Sequence, residues 1–284
     1  MTVTTQLNEQ ILLDIAGFVV ALETSDETIA RRITNRYQQF LGAGAATAPH
    51  FTIAIQPVPG ALFVPIRPGN WVIESDYDNQ HVTYRSYRER GEIDVRSGIG
   101  QLEMAPTADI ENFLRVAYAW LCIHNNALLL HAGGLLRHAD NYGYVFFGPS
   151  GAGKTTSTGL SAARGAVLSD DLVIIRCHNE HCTLHGVPFR GEMADAPRAN
   201  QQAPLKGIFR LRQDTAHFVK PLPRTVAVAE LAAASPFVVG NPHLNDQLIT
   251  VCHTIARHTP IQELHFKKDD GFWDAIDEYF THLP

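Results

Sequence analysis

Apolar positions recur in two rhythms along the chain, short alternating or continuous runs of strand type and a few stretches at helical spacing, which predicts an α/β protein. The apolar run at 11–21 predicts a first strand. Thr24, Ser25, Asp26 and Glu27 follow, and a Thr with a Glu three residues on forms a capping box. Ile29, Ile33, Tyr37 and Phe40 then share one helical face. Strand-like runs come next at 51–56, 71–74, 82–87, 92–96 and 101–104. Turns such as Arg67-Pro68-Gly69-Asn70 separate them. This first part reads as a helix and a meander with no catalytic signature.

Pro106 and Thr107 open a second helix, with Asp109 and Glu111 favourably placed against the dipole of its first turn. Ile110, Phe113, Leu114, Ala117 and Leu121 form its buried stripe, and Asn125-Asn126 ends it. A boundary near Pro106 therefore separates a smaller N-terminal α/β domain, 1–105, from a second domain, 106–284. Two apolar strands, 127–136 and 144–147, are joined by a polar turn at 138–141.

The second of these strands runs into Gly148, Pro149, Ser150, Gly151, Ala152, Gly153, Lys154 and Thr155, a complete G-x-x-x-x-G-K-[ST] pattern, with Thr156 after it. A helix-compatible segment, 155–164, follows. The glycines let consecutive backbone N–H groups curl around phosphates without Cβ clashes, and the helix N-terminus adds partial positive charge. Lys154 would neutralise phosphate oxygens and the Thr155 hydroxyl would ligate Mg²⁺. The pattern points to a nucleoside triphosphate rather than to a plain glycine turn. Gly165 ends the helix, a strand at 166–168 follows, and Ser169, Asp170 and Asp171 arrive only 16 and 17 residues (for the two acids) after Lys154. Two adjacent carboxylates so close behind the loop can divide the work, one holding Mg²⁺ and the other taking a proton from an attacking hydroxyl.

Composition narrows the classes. Among 284 residues, 23 Lys plus Arg stand against 29 Asp plus Glu, a net charge of −6, with 45% apolar and 18% charged residues. These figures exclude disorder, collagen and coiled coil, and the mild acidity argues against a duplex-DNA binder. The first basic residue is Arg31, so a secretory n-region is missing. The longest early apolar stretch, 11–22, contains Asp14 and falls short of the roughly 20 residues a membrane span needs. Four cysteines make no disulfide framework and point to a reducing compartment. A cytoplasmic protein with neither a nucleic-acid nor a membrane partner is expected.

Three motifs taken together, Leu130-His131-Ala-Gly-Gly, the 148–156 loop, and Ser169-Asp170-Asp171, resemble the HPr kinase/phosphorylase family and its relatives. The resemblance covers about 127–175 and marks the chain as a divergent member. It implies a phosphoenolpyruvate-carboxykinase-like P-loop kinase core that uses ATP and Mg²⁺. Carried over by position, His131 matches the active-site histidine, Lys154 and Thr155 the phosphate and metal contacts, Asp171 the general base and Asp170 its metal-side neighbour. The family's later signature has a Glu two residues before Arg-Gly. Here Pro188 stands at that point, Arg190 and Gly191 fit, and the acid available as a metal ligand is Glu192. The implied activity is transfer of the γ-phosphoryl group to a hydroxyl, a Ser or Thr of a small protein or peptide. A small-molecule kinase, a nucleotide-dependent carboxykinase and a non-catalytic nucleotide sensor are the alternatives.

Other signals read more plainly. His131 in an apolar strand also suits a core histidine bonded to backbone. Cys177 and Cys182, with His178, His181 and His185 nearby, invite a zinc reading, yet they fit better as the mouth of a four-residue hairpin loop at 178–181. Arg85, Arg88, Arg90 and Arg96 around Tyr84 and Tyr87 read as a solvated strand face. The apolar stretch at 226–239 is compatible with a homo-oligomer interface, and aromatics from Phe272 to Phe280 suit a C-terminal helix docked on the core.

Overall fold

The computed structural model describes residues 9–42, 48–66, 72–193 and 199–282 of an α/β protein. The chain divides into two compact units, Met1–Leu121 and Cys122–Pro284. The first contains β1 (Glu9–Ile15), β2 (Phe18–Thr24), α1 (Glu27–Arg36), β3 (Phe51–Pro57), β4 (Ile73–Tyr77), β5 (His81–Ser86), β6 (Glu89–Asp94), β7 (Ile99–Met104) and most of α2 (Glu111–His124). Its sheet has the order β1-β2-β3-β7-β6-β5-β4, with β2, β3 and β7 parallel and the rest antiparallel.

The division falls inside α2, later than the Pro106 boundary read from the sequence. The helix is anchored in the first unit: the Phe113 ring meets Tyr84 edge-on, and the Tyr118 hydroxyl donates to the carbonyls of Leu13 and Phe18. The expected single strand at 11–21 is a hairpin. Ala16 and Gly17 turn the chain at positive φ (57° and 76°), and the Asp14 carboxylate accepts the Gly17 N–H. Asp14 and Gly17 are the turn's sole marks in an otherwise apolar run, so the run reads as continuous. The cap of α1 is Asp26, whose carboxylate accepts from the Thr28 and Ile29 N–H groups, while Thr24 ends β2. The turn expected at Arg67-Pro68-Gly69-Asn70 lies outside the described residues.

The second unit runs β8 (Ala127–Arg137), β9 (Gly143–Phe147), α3 (Lys154–Ser161), β10 (Gly165–Ser169), β11 (Leu172–His178), β12 (His181–His185), β13 (Gln202–Gln213), β14 (Phe218–Pro221), α4 (Arg224–Ala233), α5 (Asn245–His258), β15 (Ile261–Phe266) and α6 (Phe272–Thr281). Two long strands fork. The first half of β8 pairs with β11, and its second half with β9 and β10. The strand β13 leaves β12 to run parallel to β9 and then to β15. Glycine permits the closure between the branches. A Cβ at Gly134 would lie 2.7 Å from Val173, and one at Gly143 would lie 2.9 Å from Leu184. Phe146, Phe209, Phe272 and Trp273 fill the core beneath, with the expected C-terminal helix α6 docked there.

The hairpin of β11 and β12 corrects the reading of its cysteines. Its loop is a two-residue turn, Asn179-Glu180 at φ 45° and 69°, so Cys177 and Cys182 are direct cross-strand partners with Cα atoms 4.0 Å apart. They form a disulfide, which uses both thiols that a zinc site would need. Cys122 and Cys252 are free and buried. Among the described residues no group of three or more His, Cys, Asp or Glu is placed to hold a metal ion by itself, and no helix is long and apolar enough to cross a membrane.

Candidate active site

Three parallel strands, β9, β13 and β15, end at one edge of the second unit's sheet. In open α/β sheets the crevice beyond such carboxyl ends is where ligands bind. The chain leaves β9 at Phe147 and forms the 148–153 loop there before entering α3. Gly148, Gly151 and Gly153 all have positive φ, at 155°, 78° and 109°. Gly153 also packs so tightly that a Cβ would lie 2.7 Å from the Phe266 ring at the end of β15. A side chain there would be both strained and obstructed. Because Gly153 is the N-cap, α3 begins with no side-chain cap, leaving its first-turn N–H groups to another acceptor.

Apart from Lys154, the fully buried positions of α3 are Ser157, Thr158 and Ser161, all hydroxyl-bearing. Ser157 and Thr158 donate back to the Lys154 carbonyl, and Ser161 accepts from the Trp273 indole N–H. The helix can therefore lie directly on β8 at Gly133, where a Cβ would stand 2.4 Å from the Thr158 methyl. That close approach explains Gly133, the first of the two glycines that follow His131-Ala132.

Lys154 turns back over the loop and donates to the carbonyls of Gly148 (3.1 Å) and Pro149 (3.4 Å). Burial pushes its ammonium below the ordinary lysine range, while the carboxylates of Asp171 and Glu192 oppose that shift. Thr155 donates to Glu192 Oε2 at 3.4 Å. Ala152 faces the other way, into the apolar core.

The acidic pair sits at an interruption in the chain. β10 and β11 both run antiparallel to β8, and the register shifts between Val167 and Ser169. The Ser169 hydroxyl accepts the N–H groups of Asp171 and Leu172, which shapes the break. Such irregularities re-aim side chains. Asp170 points inward, 3% exposed, where one carboxylate oxygen accepts the Met193 N–H at 2.9 Å. Asp171 points to the cavity, its carboxylate 3.3 Å from His131 Nε2. Register makes this proximity: His131 pairs with Leu172 across β8 and β11, and the Ala132 N–H donates to the Asp171 carbonyl.

A cavity of about 390 Å³ collects these groups. Its wall includes Ser150, Gly151, Gly153, Lys154, Thr155 and Thr156 from the loop and helix, with His131, Asp170, Asp171 and Glu192 facing them. Arg190 is exposed and outside that wall, and Gly148 and Pro149 contribute through the carbonyls that hold Lys154. One wall residue has no mark in the sequence. Gln213, the last residue of β13, donates its side-chain N–H to the Gly151 carbonyl at 2.7 Å and closes the loop's far side. Only the parallel alignment of β13 beside β9 could have indicated it.

The arrangement offers anion-seeking N–H groups, one buried cation, a hydroxyl beside a carboxylate, and a second carboxylate beside an imidazole. Mg²⁺ keeps several water and phosphate ligands and takes few from protein, which suits a site offering Thr155 and Glu192 rather than a closed cage.

No family description and no curated protein sequence matches this chain. Among solved structures, that of the Hpr(Ser) kinase/phosphatase from Coxiella burnetii is similar over 54% of this chain and 96% of its own, at 10% sequence identity and a TM-score of 0.30. A likeness that distant bears on neither activity nor substrate.

Proposed function

We infer that the second unit is an ATP- and Mg²⁺-dependent phosphotransferase acting on a hydroxyl, with a Ser or Thr side chain of a small protein or peptide as acceptor. The observation that carries this reading is the convergence in one cavity of Lys154, the Thr155–Glu192 contact and the Asp171–His131 pair.

In this reading the backbone of the 148–155 loop cradles the triphosphate and Lys154 holds positive charge against its oxygens. Mg²⁺, when bound through Thr155 and Glu192, would neutralise phosphate charge. Asp171 orients the acceptor hydroxyl and takes its proton as that oxygen bonds to the γ-phosphorus. The bond from phosphorus to the bridging oxygen breaks, and ADP leaves with the electron pair. His131 steadies the Asp171 carboxylate. Positioning and charge stabilisation supply most of the acceleration in such a transfer, which is why few side chains suffice.

The test is transfer of labelled γ-phosphate from ATP with Mg²⁺ in the presence of cell extract split into protein and small-molecule fractions. Label on a protein or peptide supports the full reading. Label on a metabolite keeps the phosphotransfer and changes the acceptor. Nucleotide binding without transfer to either fraction would contradict it and leave a nucleotide sensor.

A further inference from the structure

Asp170 has a second feature besides its bond to Met193. The backbone of Gly191 lies against its carboxylate so closely that a Cβ there would sit 2.0 Å from one oxygen and 2.7 Å from the other. The Met193 N–H donates to Oδ2, so the 191–193 segment wraps the carboxylate. Glu192 stands between those two residues and reaches Thr155. The Asp170 carboxylate, although it belongs to the cavity wall, is thus engaged by a neighbouring backbone, while Asp171, one residue on, stands beside His131.

We propose that Asp170 is a positioning residue that latches the 191–193 backbone and so holds Glu192 opposite Thr155, leaving metal contact to Thr155 and Glu192. This rests on the phosphotransfer reading for the metal but not for the latch. It separates two carboxylates that the sequence presents as interchangeable. It also gives Gly191 a reason: only a residue without Cβ lets the backbone approach an acid this closely.

Two measurements on the full-length chain test it. The first is hydrogen–deuterium exchange of the Met193 amide without nucleotide. Asp170→Ala is expected to speed that exchange at least tenfold, and Asp170→Asn, whose amide oxygen still accepts, to keep most of the protection. The second is Mn²⁺-dependent binding of the β,γ-imido analogue of ATP. Glu192→Gln is expected to raise the half-saturating Mn²⁺ concentration at least tenfold, and Asp170→Asn no more than about threefold. A tenfold rise for Asp170→Asn with Met193 still protected would overturn the proposal and make Asp170 a metal ligand. If Asp170→Ala does not fold, Gly191→Ala replaces it and should likewise expose the Met193 amide; unchanged protection there would also overturn the latch. Failure of the unaltered protein to bind the analogue would sink the phosphotransfer reading, and the exchange result alone would then decide the latch.

Discussion

The His131 imidazole lies 3.3 Å from the Asp171 carboxylate, held there by antiparallel pairing of β8 with β11. Both groups retain access to solvent, so the pair can meet a substrate hydroxyl. An ion-pair contact this exposed contributes up to about 1 kcal/mol, roughly a fivefold effect on rate. His131→Ala should therefore slow phosphoryl transfer by about that factor while leaving nucleotide affinity unchanged. Steady-state kinetics paired with nucleotide titration checks this, and an equal loss in both would place His131 in nucleotide binding.

Lys154 is the cation of the loop, kept near the phosphates by the carbonyls of Gly148 and Pro149. Lys154→Met keeps the length and apolar stem and removes the charge. It should weaken binding of ATP at least tenfold, because a hydrogen bond to a charged group contributes about 1.5–3 kcal/mol. Calorimetric titration measures it, and unaltered affinity would remove Lys154 from the phosphate site.

In the first unit Glu89 is 5% exposed and accepts from the Tyr84 hydroxyl, with Ser86 and Asp109 as further neighbours. Burial pushes its carboxyl from the ordinary 4.5 up to about 7, with the Tyr84 bond working in the opposite direction. The folded state thus holds a proton that the unfolded state releases. Stability falls as pH rises from about 4.5 to about 7, by at most about 3 kcal/mol. Glu89→Gln preserves an acceptor and removes the titration. It should raise the urea midpoint at about pH 8, change little at about pH 4, and flatten the dependence between them.

The disulfide closes a short loop, Cys177 and Cys182 being five residues apart. Loop-closure entropy for so short a ring is worth about 2 kcal/mol. Replacing both cysteines with Ser should cost about that much in urea unfolding. The fold should survive, because β11 also pairs with β8 and β12 with β13.

How much of this was legible depended on range. The strand, glycine loop and helix at 143–161 follow from local pattern, since Gly148, Gly151 and Gly153 each answer a positive φ within the loop. The Ala16-Gly17 turn was hidden because one glycine, with a single Asp three residues before it, is a weak break in an apolar run. Gln213 was invisible for a different reason. It meets Gly151 across 62 positions of sequence, through two parallel strands whose register no local periodicity encodes. The adjacent acids looked alike until the shift after Val167 set one against the Met193 N–H and the other beside His131.

The most direct test compares the unaltered protein with Asp171→Asn in one preparation, following both ATP binding and Mg²⁺-dependent transfer of the γ-phosphoryl group. Removal of a general base is expected to slow transfer about 10²- to 10⁴-fold, with ATP affinity changed by no more than a few-fold. Transfer that persists at the original rate in Asp171→Asn would contradict the account.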